Sequence, residues 1–182
     1  MKNIILLVIF GLSSSAVFAQ DAGTGSFSSR KEKRMAEREK QVEITQSLLK
    51  NRDFVLEADY LQNGFNGRHY VYSGINFIAV NSNTAVIQTG SNYGLGSNMV
   101  GGVTAKGIFS NWKLSENQKQ KIFNLSFDVT TNIGNYHLEF MISPENDYTT
   151  AMLTGIRPGQ LTFIGKNLVP YNESTVFEGQ TS

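Results

Sequence analysis

The chain has 182 residues, a formal charge of +1, 12 Phe, 7 Tyr, 1 Trp and no cysteine. That length suits one domain with a core of its own, and the missing cysteine excludes disulfides, a cysteine nucleophile and a lipid-modified cysteine anchor. The near-neutral total leaves one local basic segment to explain.

The first nineteen residues have the pattern of a secretory leader: Lys2, the apolar run Ile4–Leu12, then Ser13–Ala19 ending in Val17-Phe18-Ala19. The order of positive charge, short apolar core and small residues predicts cleavage near Ala19/Gln20. The run is shorter than the roughly 20 apolar residues that span a bilayer, and no later stretch reaches that length. The expected location is therefore the periplasm or outside the cell, with no membrane span and no lipid anchor. Gln20–Ser29 is rich in Gly, Ser and Ala, which predicts a flexible mature N-terminus over residues 20–29.

Ser29-Arg30-Lys31-Glu32 matches a capping box, and a run free of Gly and Pro follows, so a charged helix is predicted over residues 30–50. Arg30–Arg52 holds eight Lys or Arg against four Glu. The interleaved glutamates and the absence of aromatics favour a solvated helix face over a nucleic-acid or anionic-surface patch. Apolar side chains are sparse at Met35 and Ala36 and denser at Val42, Ile44, Leu48 and Leu49. The front half should face solvent while the last two turns dock. A heptad through Met35, Val42 and Leu49 places Arg38 and Thr45 in the seam, which argues against a coiled coil.

Beyond Asn51 the period becomes two. Phe54, Leu56, Ala58 and Tyr60 share one face, with Glu57 and Asp59 on the other. Asn63-Gly64 and Asn66-Gly67 are turn signals before a second strand, Arg68–Tyr72. Asn76–Val80 and Thr84–Thr89 flank a hairpin turn at Asn81-Ser82-Asn83, and Val103–Trp112 and Ile122–Thr131 are joined through Ser115–Gln120. Gly134-Asn135 predicts a two-residue turn that sets Thr131 opposite Leu138, Val129 opposite Phe140 and Phe127 opposite Ile142. Pro144–Asp147 as a four-residue loop then sets Phe140 opposite Ala151 and Leu138 opposite Leu153. One apolar face thus crosses three strands. Arg157-Pro158-Gly159-Gln160 is a turn before a last strand, Leu161–Leu168. Eight or nine strands after one helix define a mainly-β protein: an antiparallel barrel over residues 53–182, with a β-sandwich as the alternative.

No motif assigns a chemistry. Six glycines between Gly90 and Gly107 lack the lysine and following helix of a phosphate-binding loop and the third glycine of a dinucleotide fingerprint. They read as a flexible barrel rim, or as a mobile mouth with Asn92, Tyr93 and Asn98 as polar contacts. His137 and Glu139 share a strand face, but His69 must come from a distant strand, so no metal site is predicted. Glu57 and Asp59 read as a solvated strand face rather than a glycosidase pair, and no serine elbow exists. No cofactor and no enzymatic activity are expected. Arg68, Tyr70 and Tyr72 share a face, and with the glycine loop they would suit a small amphipathic ligand in a barrel lumen, although ordinary packing also accounts for them.

Several segments are similar to one known bacterial family. They are the leader, the charged helix, Arg52-Asp53-Phe54-Val55-Leu56-Glu57-Ala58-Asp59, Asn76-Phe77, Val100-Gly101-Gly102-Val103-Thr104, and the ending Leu168-Val169-Pro170-Tyr171 with Ser174 and Val176-Phe177-x-Gly179. The chain resembles the exported proteins that carry domain of unknown function 4251. The resemblance implies an envelope protein of Gram-negative gut-type bacteria with a lipocalin-like barrel and no assigned activity. Pro170 should end the last strand, with residues 169–179 folding back to plug one barrel end. Two roles are expected. The first is a periplasmic binding module for a small apolar or amphipathic ligand. The second is a filled structural barrel whose helix docks on an envelope partner.

Overall fold

The computed structural model describes residues 24–64, 67–91, 100–156 and 159–182. The predicted leader, residues 1–19, and the start of the predicted N-terminal arm lie outside them. The described residues divide into two units between Arg34 and Met35. One helix, α1 (Thr24–Asn51), runs from the first into the second. It begins ahead of the predicted start, so Thr24–Ser29 is helical and Ser29 lies inside the helix. Gly25 in that stretch costs about 1 kcal/mol relative to alanine, and no proline bars the extension.

Within the second unit, Met35–Lys40 are exposed, while Thr45, Leu48 and Leu49 are buried and Val42 and Ile44 pack on the core. Among the described residues nine strands follow: β1 (Asp53–Asn63), β2 (Gly67–Tyr70), β3 (Phe77–Asn81), β4 (Thr84–Thr89), β5 (Val103–Asn117), β6 (Ile122–Thr131), β7 (Gly134–Ser143), β8 (Tyr148–Ile156) and β9 (Gly159–Gly165). β1 and β3 to β9 pair antiparallel in sequence order and β9 returns to β1, closing an eight-stranded barrel; β2 is an extra strand on β1. Closure decides for the barrel over the sandwich, because it leaves no edge on those eight strands.

The β7–β8 register is the predicted one, with Phe140 opposite Ala151 and Leu138 opposite Leu153. The β6–β7 register differs: Thr131 pairs with Gly134, Val129 with Tyr136, Phe127 with Leu138 and Leu125 with Phe140. The turn is Asn132-Ile133, two residues ahead of Gly134-Asn135. Thr131 pins it there, its hydroxyl accepting the Ile133 and Gly134 amides at 3.2 and 3.1 Å and donating to the Gly134 carbonyl at 2.9 Å. Moving the turn by two residues moves each partner by four, an even number that preserves side-chain parity, so the apolar face survives.

β1 departs more sharply from simple alternation. Its register on β9 shifts between Ala58 and Tyr60. The bulge at Asp59 turns Leu61 onto the core and leaves Tyr60 on the outer wall, correcting the predicted inward Tyr60. Gly165 is required opposite this bend, since a Cβ there would run into the Glu57 carbonyl. β5 carries a second bulge between Ser110 and Lys113, where Asn111 takes a φ of 55°. It brings Trp112 onto Phe127 at 5.1 Å and Phe109 at 5.1 Å.

The C-terminal segment does not plug a barrel end. Val169 pairs with Val55 in both directions, at 2.8 and 3.0 Å, and the chain then runs along the outer wall of β1, β3, β4 and β5. Val176 packs there on Val55, Phe77, Ala79 and Val86, while Phe177 is 62% exposed. β3 and β4 are apolar on both faces, so they need cover outside as well as inside. Gln88 holds the strap: its buried amide donates to the Ile75 and Phe177 carbonyls and accepts from the Thr104 hydroxyl and the Gly179 amide.

Candidate functional site

The lumen divides into two ends. Toward α1 it is solid: Phe54, Phe109, Trp112, Phe127 and Phe140 form one ring cluster, with centroids 5.1 to 6.4 Å apart. The Arg52 guanidinium lies 5.3 Å from the Trp112 centroid and 5.6 Å from that of Phe109. Toward the other end the inward residues are smaller, and a cavity of about 290 Å³ remains, lined by Ile87, Thr89, Val103, Ala105, Tyr136, Leu153 and Leu161. Thr89 and the Tyr136 phenol are the polar side chains in an otherwise aliphatic wall. Small-molecule sites run from roughly 300 to 1,000 Å³, so the cavity lies at the small end of that range.

These lining residues come from five strands, β4, β5, β7, β8 and β9. Sequence alternation marks them as inward and hence as core. What separates Thr89, Val103, Tyr136 and Leu161 from packed core is their place near the ends of their strands.

Arg68, Tyr70 and Tyr72 are not in the lumen. They lie on the outer wall, Tyr70 being 76% and Tyr72 61% exposed. The Arg68 guanidinium sits 3.9 Å above the Tyr60 ring, and Tyr70 meets the same ring edge-on at 5.6 Å. The Asp59 bulge is the cause, because it carries Tyr60 and the strand paired with it to the outside. Tyr70 and Tyr72 instead border an open groove of about 540 Å³ with Val71, Ile75, Asn76, Gly90 and Ser91. Asn76 ties its two sides, donating to the Tyr72 carbonyl at 3.0 Å and accepting the Gly90 amide at 2.9 Å. Asn92, Tyr93 and Asn98 lie outside the described residues.

His137 is better connected than the sequence indicated. Its Nδ1 lies 2.5 Å from Asp128 Oδ1 across the β6–β7 ladder, and its Nε2 lies 3.4 Å from Glu139 Oε1. Asn111, presented by the β5 bulge, donates to the other Asp128 oxygen at 2.6 Å. The hydrogen bond to Asp128 holds the imidazole above its ordinary pKa, with Glu139 adding to the effect. The bonds from Asn111 and then His137 hold Asp128 below the usual carboxylate range. His69 is on β2, opposite Leu61. Among the described residues no three His, Cys, Asp or Glu converge as metal ligands would.

A closed eight-stranded antiparallel barrel, with a helix before it, one extra strand and an apolar hollow at one end, defines the class: a small β-barrel domain. The chain belongs to the family described as domain of unknown function DUF4251, whose profile matches residues 36–167. It is similar to the crystal structure of a DUF4251 family protein from Bacteroides eggerthii DSM 20697, at 26% identity and a TM-score of 0.64, over 79% of this chain and 96% of that one. No curated protein matches the chain.

Proposed function

We propose that this barrel is a non-enzymatic binding module, working after export, that takes a small apolar or amphipathic molecule into the open end of its lumen. The observation that carries the reading is the aliphatic cavity of about 290 Å³ formed by Ile87, Thr89, Val103, Ala105, Tyr136, Leu153 and Leu161. A rigid apolar hollow leaves little ordering cost for an apolar guest, and the Tyr136 phenol and Thr89 offer a polar end for orientation. The packed aromatic end serves as the wall that keeps the hollow in shape.

The experiment is gentle native mass spectrometry of the full chain purified from its host, beside Leu153→Trp, which fills the cavity. The reading expects an added mass on the wild-type protein that is missing from the variant. The bare chain in both samples contradicts a tightly held ligand. The same spectrum addresses export, since cleavage at the predicted site leaves Gln20 at the N-terminus.

The stacked aromatic end favours a second reading, a structural barrel that docks on an envelope partner through the exposed face of α1. Cross-linking in cells with and without substitutions at Arg38 and Lys40 distinguishes the two. Identical cross-link patterns refute docking through the helix.

A further inference from the structure

Each strand of the closed barrel has a neighbour on both edges, whereas β2 among the described strands has one neighbour, β1. The Val71 amide donates to the Asp59 carbonyl at 2.9 Å, which makes those two residues a hydrogen-bonded pair. Antiparallel ladders alternate bonded and non-bonded pairs. In the register Tyr60 to Tyr70, Leu61 to His69 and Gln62 to Arg68, the bonded pair is therefore His69 with Leu61. The N–H and C=O groups of Arg68 and Tyr70 point the other way, away from β1. They offer two donors and two acceptors at the i, i+2 spacing that an added strand uses.

The space beside that edge has a definite shape. β3 begins only at Phe77, so the far half of β1 pairs with β2 instead, and a slot opens in the wall between β2 and Gly90–Ser91. This is the groove of about 540 Å³ lined by Tyr70, Val71, Tyr72, Ile75 and Asn76. The groove lies directly beside the free edge of β2. Its charge is also incomplete. Among the described residues Arg68 has no carboxylate within ion-pair distance, and its guanidinium rests on the Tyr60 ring. A short charged edge is also a common guard against unwanted pairing. Here the guarding charge is folded back on Tyr60 and leaves the edge open.

We infer that the β2 edge is a docking site for an extended acidic segment of a partner polypeptide. The segment pairs its backbone with Arg68 and Tyr70, sets a carboxylate against the Arg68 guanidinium, and lays an apolar side chain between Tyr70 and Tyr72. This site is separate from the lumen and stands whether or not the lumen holds a ligand.

The test pans a random heptapeptide library on the immobilised full chain, then measures the enriched peptides by fluorescence anisotropy and amide hydrogen exchange. Free protein should exchange the Arg68 and Tyr70 amides fast and protect those of His69 and Val71. An enriched peptide should carry Asp or Glu and protect Arg68 and Tyr70 on binding. Tyr70→Pro removes an N–H that β1 does not use and should weaken binding at least about tenfold, whereas Tyr70→Ala keeps the N–H and loses only the ring contact, so it should weaken binding measurably less than Tyr70→Pro. Methylating alternate peptide nitrogens repeats the test without touching the protein: one set should abolish binding and the other spare it. The inference is overturned by no enrichment over Tyr70→Pro, or by peptides that bind without protecting Arg68 and Tyr70. Protection that rises with protein concentration alone also overturns it, by assigning the edge to a second copy.

Discussion

The two ends of the lumen are built from the same alternation of inward residues and have opposite contents. At the end facing α1, the β5 bulge turns Trp112 into a cluster of five aromatic rings that Arg52 covers. At the far end, mostly aliphatic and small side chains of β4, β5, β7, β8 and β9 leave a hollow of about 290 Å³. The difference teaches that closure of the barrel does not decide whether it is filled. Side-chain volume at each layer does, and stability concentrated in one end leaves the other free to stay open.

The largest effect that can break this comparison is expected at Phe127. It is fully buried between Phe140 and Trp112, so Phe127→Ala should cost about 3–5 kcal/mol in urea unfolding. Leu161→Ala, at the half-buried rim of the hollow, should cost less than half as much. Equal costs would dissolve the distinction between the ends.

Next comes the strap on the outer wall. Gln88→Ala leaves the Gly179 amide, the Thr104 hydroxyl and two carbonyls without that side chain, at a cost of about 2–4 kcal/mol. Deleting residues 170–182 should lower the unfolding free energy by at least as much, and the two changes together should cost far less than their sum. Full additivity in a double-mutant cycle would show that Gln88 does not act through the strap.

A smaller gain is expected where the helix meets the barrel. The Thr45 hydroxyl of α1 is buried without a hydrogen-bond partner among the described residues. Thr45→Val keeps the shape and should raise stability by about 1 kcal/mol. A loss of stability would mean that the hydroxyl is satisfied in solution.

The smallest effect is one of pH, outside the lumen altogether. His137 sits above its ordinary pKa of 6.5, so its contribution is complete below that value and is lost as pH rises through the raised one. Asp128 sits below its ordinary 3.8, so its contribution is present above that value and is lost as pH falls through the lowered one. Tm should therefore decline slightly from neutral toward alkaline pH in the wild type, and His137→Gln should flatten that decline. The pair is two-fifths exposed, which keeps the effect small. Parallel pH profiles would remove the Asp128–His137 bond from the account.

Much of this organisation was legible in the sequence, for a reason visible in particular strands. A period of two with turn residues between strands is a local signal, and it sufficed for the barrel and for the partners of β7 and β8. It misplaced the β6–β7 turn, because Thr131 competes locally with Gly134-Asn135. It also put Tyr60 inside, because a bulge at Asp59 leaves no mark in the alternation. The strap was expected at a barrel end; the unbroken apolar character of Phe77–Val80 and Ala85–Ile87 was the available sign that it lies outside. The hollow was not legible at all, since it depends on how residues from five strands sum at one depth. The Tyr70 and Tyr72 surface was picked out by residue type but assigned to the wrong side of the wall.

The central claim, that the open end of the lumen receives a small apolar guest, is tested most directly by methyl NMR during titration with N-phenyl-1-naphthylamine. The account predicts saturable shifts of Ile87, Val103, Leu153 and Leu161 methyls, with those of Leu56 and Ile142 in the packed core unmoved. Shifts confined to residues around Tyr70 and Tyr72, or no saturable shift at the four open-end residues, would contradict it.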